Sequence, residues 1–221
     1  LTVDAYIKSG ESFVKLLSVG DLYSREHHGK HREKYGNFLY VLKEQYLSLF
    51  DACIHRLKQE SHPKFEACGL ELVHQYVNTL GIDPKVISIV DAIFQSVVNN
   101  LKAEKNELLS LLEQLEGHNG YLYEHSLLLA YVSCSIAQKT SWNNELYYQK
   151  FVTSALLHDL GLNDEESKVN LYSEILDQKL PWDIAKKITA HPENTNQILS
   201  KMSGLSQDVS TIILSHHERP N

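Results

Sequence analysis

Four polar clusters, each set against apolar residues at helical spacing, constrain the C-terminal half of this chain more than any other feature. They are His125 in YLYEHSLLLA, His158-Asp159 in ALLHDLGL, His191-Pro192 in ITAHPENT and His216-His217-Glu218 near the end. Their first histidines stand 33, 33 and 25 residues apart, room for one or two helices to return each cluster to a common centre. The apolar neighbours predict that the imidazoles turn inward. A packed helical domain has little reason to collect five histidines and an aspartate in its core unless they bind metal.

Each cluster alone also has a plainer reading. Leu122, His125, Leu129, Val132 and Ile136 share one face of a predicted helix, where His125 serves equally as a core histidine bonded to a carbonyl. Val152, Ala155, Leu156, His158 and Asp159 lie along a helix that Gly161 ends. That dipeptide also suits a helix C-terminus, where imidazole meets the negative end of the dipole. Ile188, His191, Thr195 and Ile198 define a further face, with Pro192 in the first turn of a new helix, and a junction cap explains His191 as well. Ile212-Ile213-Leu214 runs into His216-His217-Glu218. Neighbours on a helix point about 100° apart, so tandem ligands require a helix end; the plainer reading is an exposed polar terminus. The conjunction of all four clusters on helices favours metal. Asp159 offers two oxygens and can bridge two cations, while each neutral imidazole offers one nitrogen.

The other histidines read differently. His27, His28 and His31 sit among Arg25, Glu26, Lys30, Arg32 and Glu33 without an apolar stripe, which predicts a solvated helix. His55, His62, His74 and His118 are isolated, and are expected to be structural or exposed.

Before the clusters the chain changes character. Val3, Ala5 and Ile7 alternate with polar residues, Ser9-Gly10-Glu11 makes a turn, and Phe13–Leu17 follows, which predicts a β-hairpin. A solvated helix over Arg25–Lys34 is expected to stop at Gly36, with a third strand at Phe38–Leu42. Helical periodicity then takes over. Leu47, Phe50, Cys53-Ile54 and Leu57 mark one helix, and Phe65 to Leu80 a second that Gly81 closes. Asp83-Pro84 starts a third that reaches towards Glu116, with an interruption expected near Asn99-Asn100 and a break at Gly117–Gly120. The expected organisation is a small α+β unit over 1–60, connecting helices over 61–118 and a metal-binding helical domain over 119–221.

Net charge is −7 and no long Lys/Arg block occurs, which argues against a broad nucleic-acid surface. The longest apolar stretch, Leu127–Val132, is far too short for a membrane span. Cys53, Cys68 and Cys134 form no CxxC pair and are expected to be buried thiols in a reducing compartment. No charged-then-apolar leader precedes them, so the expected location is the cytoplasm. The first residue is Leu1, so a trimmed chain is expected.

His125, His158-Asp159, His191-Pro192 and His216-His217-Glu218, in this order, resemble the HD superfamily of metal-dependent phosphohydrolases. The HHE ending and the His-Pro pair resemble its HD-GYP branch, the cyclic-di-GMP phosphodiesterases. The likeness covers roughly 119–221, and the earlier DAYIK…FVKLL…GD…FLYV pattern resembles the small domain that precedes some HD-GYP domains. The resemblance implies a mainly α fold, a helical HD bundle preceded by a small α+β domain. It implies two divalent metal ions, iron or manganese, the first held by His125, His158 and Asp159. Asp159 would bridge to the second, held by His191, His216 and His217, and a hydroxide between the metals would attack phosphorus. His158 and Asp159 are then the catalytic residues. Cyclic-di-GMP is the expected partner, rather than a DNA or RNA polymer or a membrane. The N-terminal unit would regulate or dimerise, giving a homodimer or a signalling-protein contact.

Four departures stand out. Leu162 replaces the lysine that helps hold phosphate, and Thr195 replaces a glycine. Tyr121 replaces the glutamate of three-metal members, which favours two metals. The chain stops at Arg219-Pro220-Asn221, where the Gly-x-Gly-Tyr-Pro loop begins and ahead of a further aspartate ligand, so truncation is expected. Two other functions fit: a degenerate HD-GYP-type binding or signalling module, for which Leu162 speaks, and an HD phosphohydrolase acting on another nucleotide.

Overall fold

A computed structural model describes residues 1–35, 39–57, 59, 62–103, 121–162, 181–202 and 204–218. It divides into two compact units, Leu1–Gln59 and Glu60–Asn221. Several expectations lie outside the described residues: the stop at Gly36, the start of a strand at Phe38, the reach towards Glu116, the break at Gly117–Gly120 with His118, and Arg219-Pro220-Asn221. The side chains of His28, His62, Tyr121 and Leu122 do so too.

In the first unit, β1 (Ala5–Ser9) pairs antiparallel with β2 (Ser12–Leu17). Gly10, at φ 61°, turns the hairpin in a left-handed conformation that other residues adopt at a cost. The alternation read from the sequence holds, since Val3, Ala5 and Ile7 are buried. No third strand forms among the described residues 39–42. Among the described residues, Tyr40 makes a single bridge to Tyr6, because the chain enters a 3-10 turn at Lys43–Gln45 and then α2 (Tyr46–Leu57), leaving no length for a ladder. Before it, α1 (Arg25–Tyr35) lies in solvent, with His27 and His31 stacked on Tyr23.

The second unit is helical. α3 (His62–Leu80) ends at Gly81, whose φ is 86° and whose N–H donates to the Val77 carbonyl. α4 (Pro84–Ala103) starts where Asp83 accepts the Lys85 N–H at 2.7 Å and Pro84 takes the first helical position. The interruption expected at Asn99-Asn100 is absent. Asn100 turns its amide onto Glu66 of α3 and the Tyr131 hydroxyl, each at 3.0 Å, so it does not compete with its own helix backbone.

Four more helices and a preceding one complete the described bundle: α5 (Tyr121–Ala137), α6 (Glu145–Leu157), α7 (Trp182–Thr189), α8 (His191–Leu199) and α9 (Gln207–Ser215). With nine α-helices and one two-stranded sheet among the described residues, the chain is mainly α. α6 is central and packs on α4, α5 and α9 through Tyr148, Val152, Ala155, Leu156 and Leu157. Each of the fully buried Val152, Leu156 and Leu157 side chains contributes about 1.5–3 kcal/mol. Asn144 caps its start by accepting the Tyr147 N–H.

The stripe read on α5 is not its buried face. Leu129 and Ile136 are exposed and His125 is half-buried, whereas Tyr123, Leu127, Ala130, Tyr131, Cys134 and Ala137 face the core. α5 is apolar on nearly every side, so periodicity alone does not select a face. The thiols differ from expectation as well: Cys134 is buried, and its thiol is pushed up to about 12 by that burial, but Cys53 and Cys68 are only partly covered.

Candidate metal centre

Five of the six side chains singled out in the sequence are placed by a helix end or first turn, and His125 by the body of a helix. His158 is the C-terminal cap of α6, and Asp159 follows in the turn closed by Leu160 N–H to Leu157 O and Leu162 N–H to Asp159 O. His191 is the first residue of α8, with Pro192 beside it in the first turn. His216 caps the C-terminus of α9 and His217 follows it in the turn. His125 lies on α5, its ring centroid 5.3 Å from that of His158. The relaxed backbone at these ends lets neighbouring residues face one centre, which a continuous helix forbids.

The six fall into two groups. His125, His158 and Asp159 offer ligand atoms within 4.8 Å of one another, and so do His191, His216 and His217. Asp159 stands between them. Its Oδ2 is 3.0 Å from His158 Nε2, and its Oδ1 is 3.1 Å from His191 Nε2 and 3.9 Å from His216 Nε2.

Three imidazoles share one anchoring device. Nδ1 of His158, His191 and His216 donates to the carbonyl three residues earlier, at Ala155 (2.8 Å), Ile188 (2.5 Å) and Ile213 (2.6 Å). A carbonyl only accepts, so Nδ1 carries the proton, and in the neutral ring Nε2 presents its lone pair to the centre. His191 Nε2 then meets His216 Nε2 at 3.0 Å and His217 Nε2 at 3.3 Å. His191 and His216 Nε2, both acceptors in the neutral rings, need a proton or a cation between them at such a distance. The donor set therefore fits divalent metal, with imidazole and carboxylate ligands suited to iron, manganese or zinc.

Charge follows the same plan. Burial would raise the Asp159 carboxyl, but the hydrogen bonds that protonated His158 and His191 donate to it, together with their charge, hold it well below the usual carboxylate range. Burial opposes charging of His158, yet its bond to Asp159 leaves it raised. Burial is the main influence on His125, His217 and His216 and lowers all three, His216 to about 4. These imidazoles are accordingly neutral near pH 7, the state that coordinates. His158, Asp159 and His191 are buried, while His125, His216 and His217 are half-buried, so the centre opens to solvent on the side of the latter three.

Two participants escaped the sequence reading. Gly161 had been read only as a helix stop, yet a Cβ there would sit 2.9 Å from Thr195 Oγ1 and 3.0 Å from the His191 carbonyl oxygen. The turn carrying Asp159 thus packs backbone to backbone on α8. Thr195, which the sequence places on the His191 face and marks as a departure from glycine, is fully buried against that turn. Leu162, at the position of the expected phosphate-binding lysine, is buried.

The HD-domain family profile matches residues 122–221. Those residues are an HD domain. HD domains bind divalent metals, and members of the superfamily are metal-dependent phosphohydrolases, in keeping with the two ligand groups of this HD domain. Among solved structures, the chain is similar to Bd1817, an HDG"Y"P protein from Bdellovibrio bacteriovorus, with a TM-score of 0.55 and 19% identity over 97% of this chain and 72% of that one. At that identity the likeness concerns the fold, which extends over both units. The family match supports the HD superfamily read from the sequence, and the structural likeness supports its fold. No curated protein matches the chain. No helix among the described residues is long and apolar enough to cross a membrane.

Proposed function

We propose that this HD domain is a binuclear phosphodiesterase that hydrolyses cyclic-di-GMP. The observation that carries the reading is the placement of Asp159, whose two oxygens address His158 on one side and His191 on the other. One ion would be held by His125, His158 and Asp159, and a second by His191, His216 and His217 with Asp159 shared. Iron or manganese suits such ligands. Bound, the cations would supply positive charge against the charge developing on a phosphodiester and a nucleophile from water near neutral pH.

The chain's own part is to present ligands already oriented. Three imidazoles are fixed by backbone carbonyls, so little ordering remains when the centre assembles. The buried floor of His158, Asp159 and His191 excludes water from one side. The half-buried rim of His125, His216 and His217 leaves the other open to a phosphodiester.

A second reading has its own support. Leu162 supplies no charge for phosphate and is turned into the core, which favours a binding or signalling module that retains metal without turnover. Elemental analysis followed by a cyclic-di-GMP cleavage assay, with simple nucleotides as competitors, separates the readings. About two ions per chain with cyclic-di-GMP cleavage is expected. Bound metal without cleavage of any phosphodiester would establish the module, and preferential cleavage of a simple nucleotide would point to another HD hydrolase.

A further inference from the structure

Thr195 lies one turn beyond His191 on the same face of α8 and is completely buried. Its Oγ1 donates to the His158 carbonyl at 3.0 Å and accepts the Gly161 N–H at 2.9 Å. One hydroxyl thereby grips both ends of the turn that carries His158 and Asp159. The helix bearing it also carries His191, the first residue of the other ligand group. Gly161 makes the grip possible: α8 approaches so closely that a Cβ there would meet the Thr195 nitrogen at 3.0 Å as well as Oγ1.

We propose that Thr195 is a positioning residue that sets the separation of the two ligand groups by locking the His158–Gly161 turn to the helix of His191. The inference rests on the metal-centre reading. The physical reason is geometric. His158 and Asp159 leave α6 through a short turn with two internal backbone hydrogen bonds, so their position relative to α8 depends on contacts made across to it. A hydroxyl that both donates and accepts fixes two points of that turn at once. A methyl group or a hydrogen at the same place fixes neither. Removing such a supporting hydrogen bond typically costs about 10–100-fold in metal affinity.

The test uses the whole chain with Thr195→Ala and Thr195→Ser. Alanine removes the hydroxyl without crowding Gly161, and serine keeps the hydroxyl while losing only a methyl group. Manganese(II) titration by calorimetry, with electron paramagnetic resonance of the spin coupling between paired ions, reads the site without relying on turnover. Thermal unfolding of the metal-free variants accompanies both. The expected result is that alanine weakens the weaker-binding ion about 10-fold or more and alters the coupling. Serine should stay within about 3-fold of the parent and keep its spectrum. Equal affinity and coupling in all three proteins would overturn the positioning role while leaving the metal centre intact. An equal loss in the alanine and serine variants would overturn it too, because it would trace to packing of the methyl group. If the parent chain took up no manganese at all, the metal-centre reading would fail and the role of Thr195 with it.

Discussion

Oδ1 of Asp159 lies 3.1 Å from Nε2 of His191, joining the turn after α6 to the first residue of α8. The two residues are 32 positions apart in the chain, and no local rule brings them together. Their contact makes a carboxylate common to two groups of imidazoles.

Asp159→Ala should therefore empty both positions, whereas loss of a terminal histidine should empty one. Metal content of about two ions per chain should fall below about half an ion in Asp159→Ala, and to about one in His217→Ala or His125→Ala. His27→Ala, in the solvated α1, should leave it unchanged. Elemental analysis of the purified proteins measures all four, and equal metal content throughout would remove the site assignment.

Gly161→Ala should destabilise the fold as well as the centre. The added Cβ meets backbone atoms of His191 and Thr195, which cannot swing aside as a flexible side-chain tip can. A cost of about 1–3 kcal/mol is expected in urea unfolding, with reduced manganese affinity. Gly69→Ala provides the contrast: its Cβ would meet the terminal carbon of Ile93 at 3.3 Å, a side chain able to shift. Its effect should stay below about 1 kcal/mol.

Leu162→Lys should not restore a phosphate-binding site. The position is 4% exposed, so lysine would lose the burial of leucine and take an ammonium out of water. Destabilisation of about 3 kcal/mol is expected, with no gain in phosphodiester cleavage. Leu162→Met should cost less than about 1.5 kcal/mol. Increased turnover by a stable lysine variant would show that the side chain reaches the centre instead.

Glu66 should make stability depend on pH. It is buried in α3, where it accepts hydrogen bonds from Ser96 (2.6 Å), Asn100 (3.0 Å) and Tyr131 (2.8 Å). Burial outweighs these bonds and pushes its carboxyl up from 4.5 to about 7. The folded chain thus retains a proton that the unfolded chain releases between those values. The associated stabilisation is complete below about pH 4.5 and disappears as pH rises through about 7, an effect of about 3 kcal/mol. Glu66→Gln should match the parent near pH 4 and exceed its stability at pH 8, measured by urea unfolding at both. An identical pH dependence in the two proteins would count against the shift.

Much of this architecture was readable one turn at a time. Gly81 ends α3 and Asp83-Pro84 starts α4, because a left-handed glycine and a capped proline act within a few residues. The hairpin around Gly10 belongs to the same class. Three of the four histidine clusters were legible as helix-end features and His125 as a residue within a helix, and their order carried the HD resemblance.

What the chain alone determined, then, was its local grammar: helical periods, stops, the hairpin and the residue types available to a metal. Tertiary structure decided which surfaces met. On α5, apolar on almost every side, packing selected the face of Leu127 and Tyr131 and left His125 at its margin. Asn100 continued its helix because Glu66 and Tyr131 supplied partners from two other helices. The Thr195 hydroxyl acquired both of its partners only when α8 closed on the turn after α6. Such outcomes depend on atoms supplied by segments tens of residues away, and a periodicity of 3.6 residues carries no record of them.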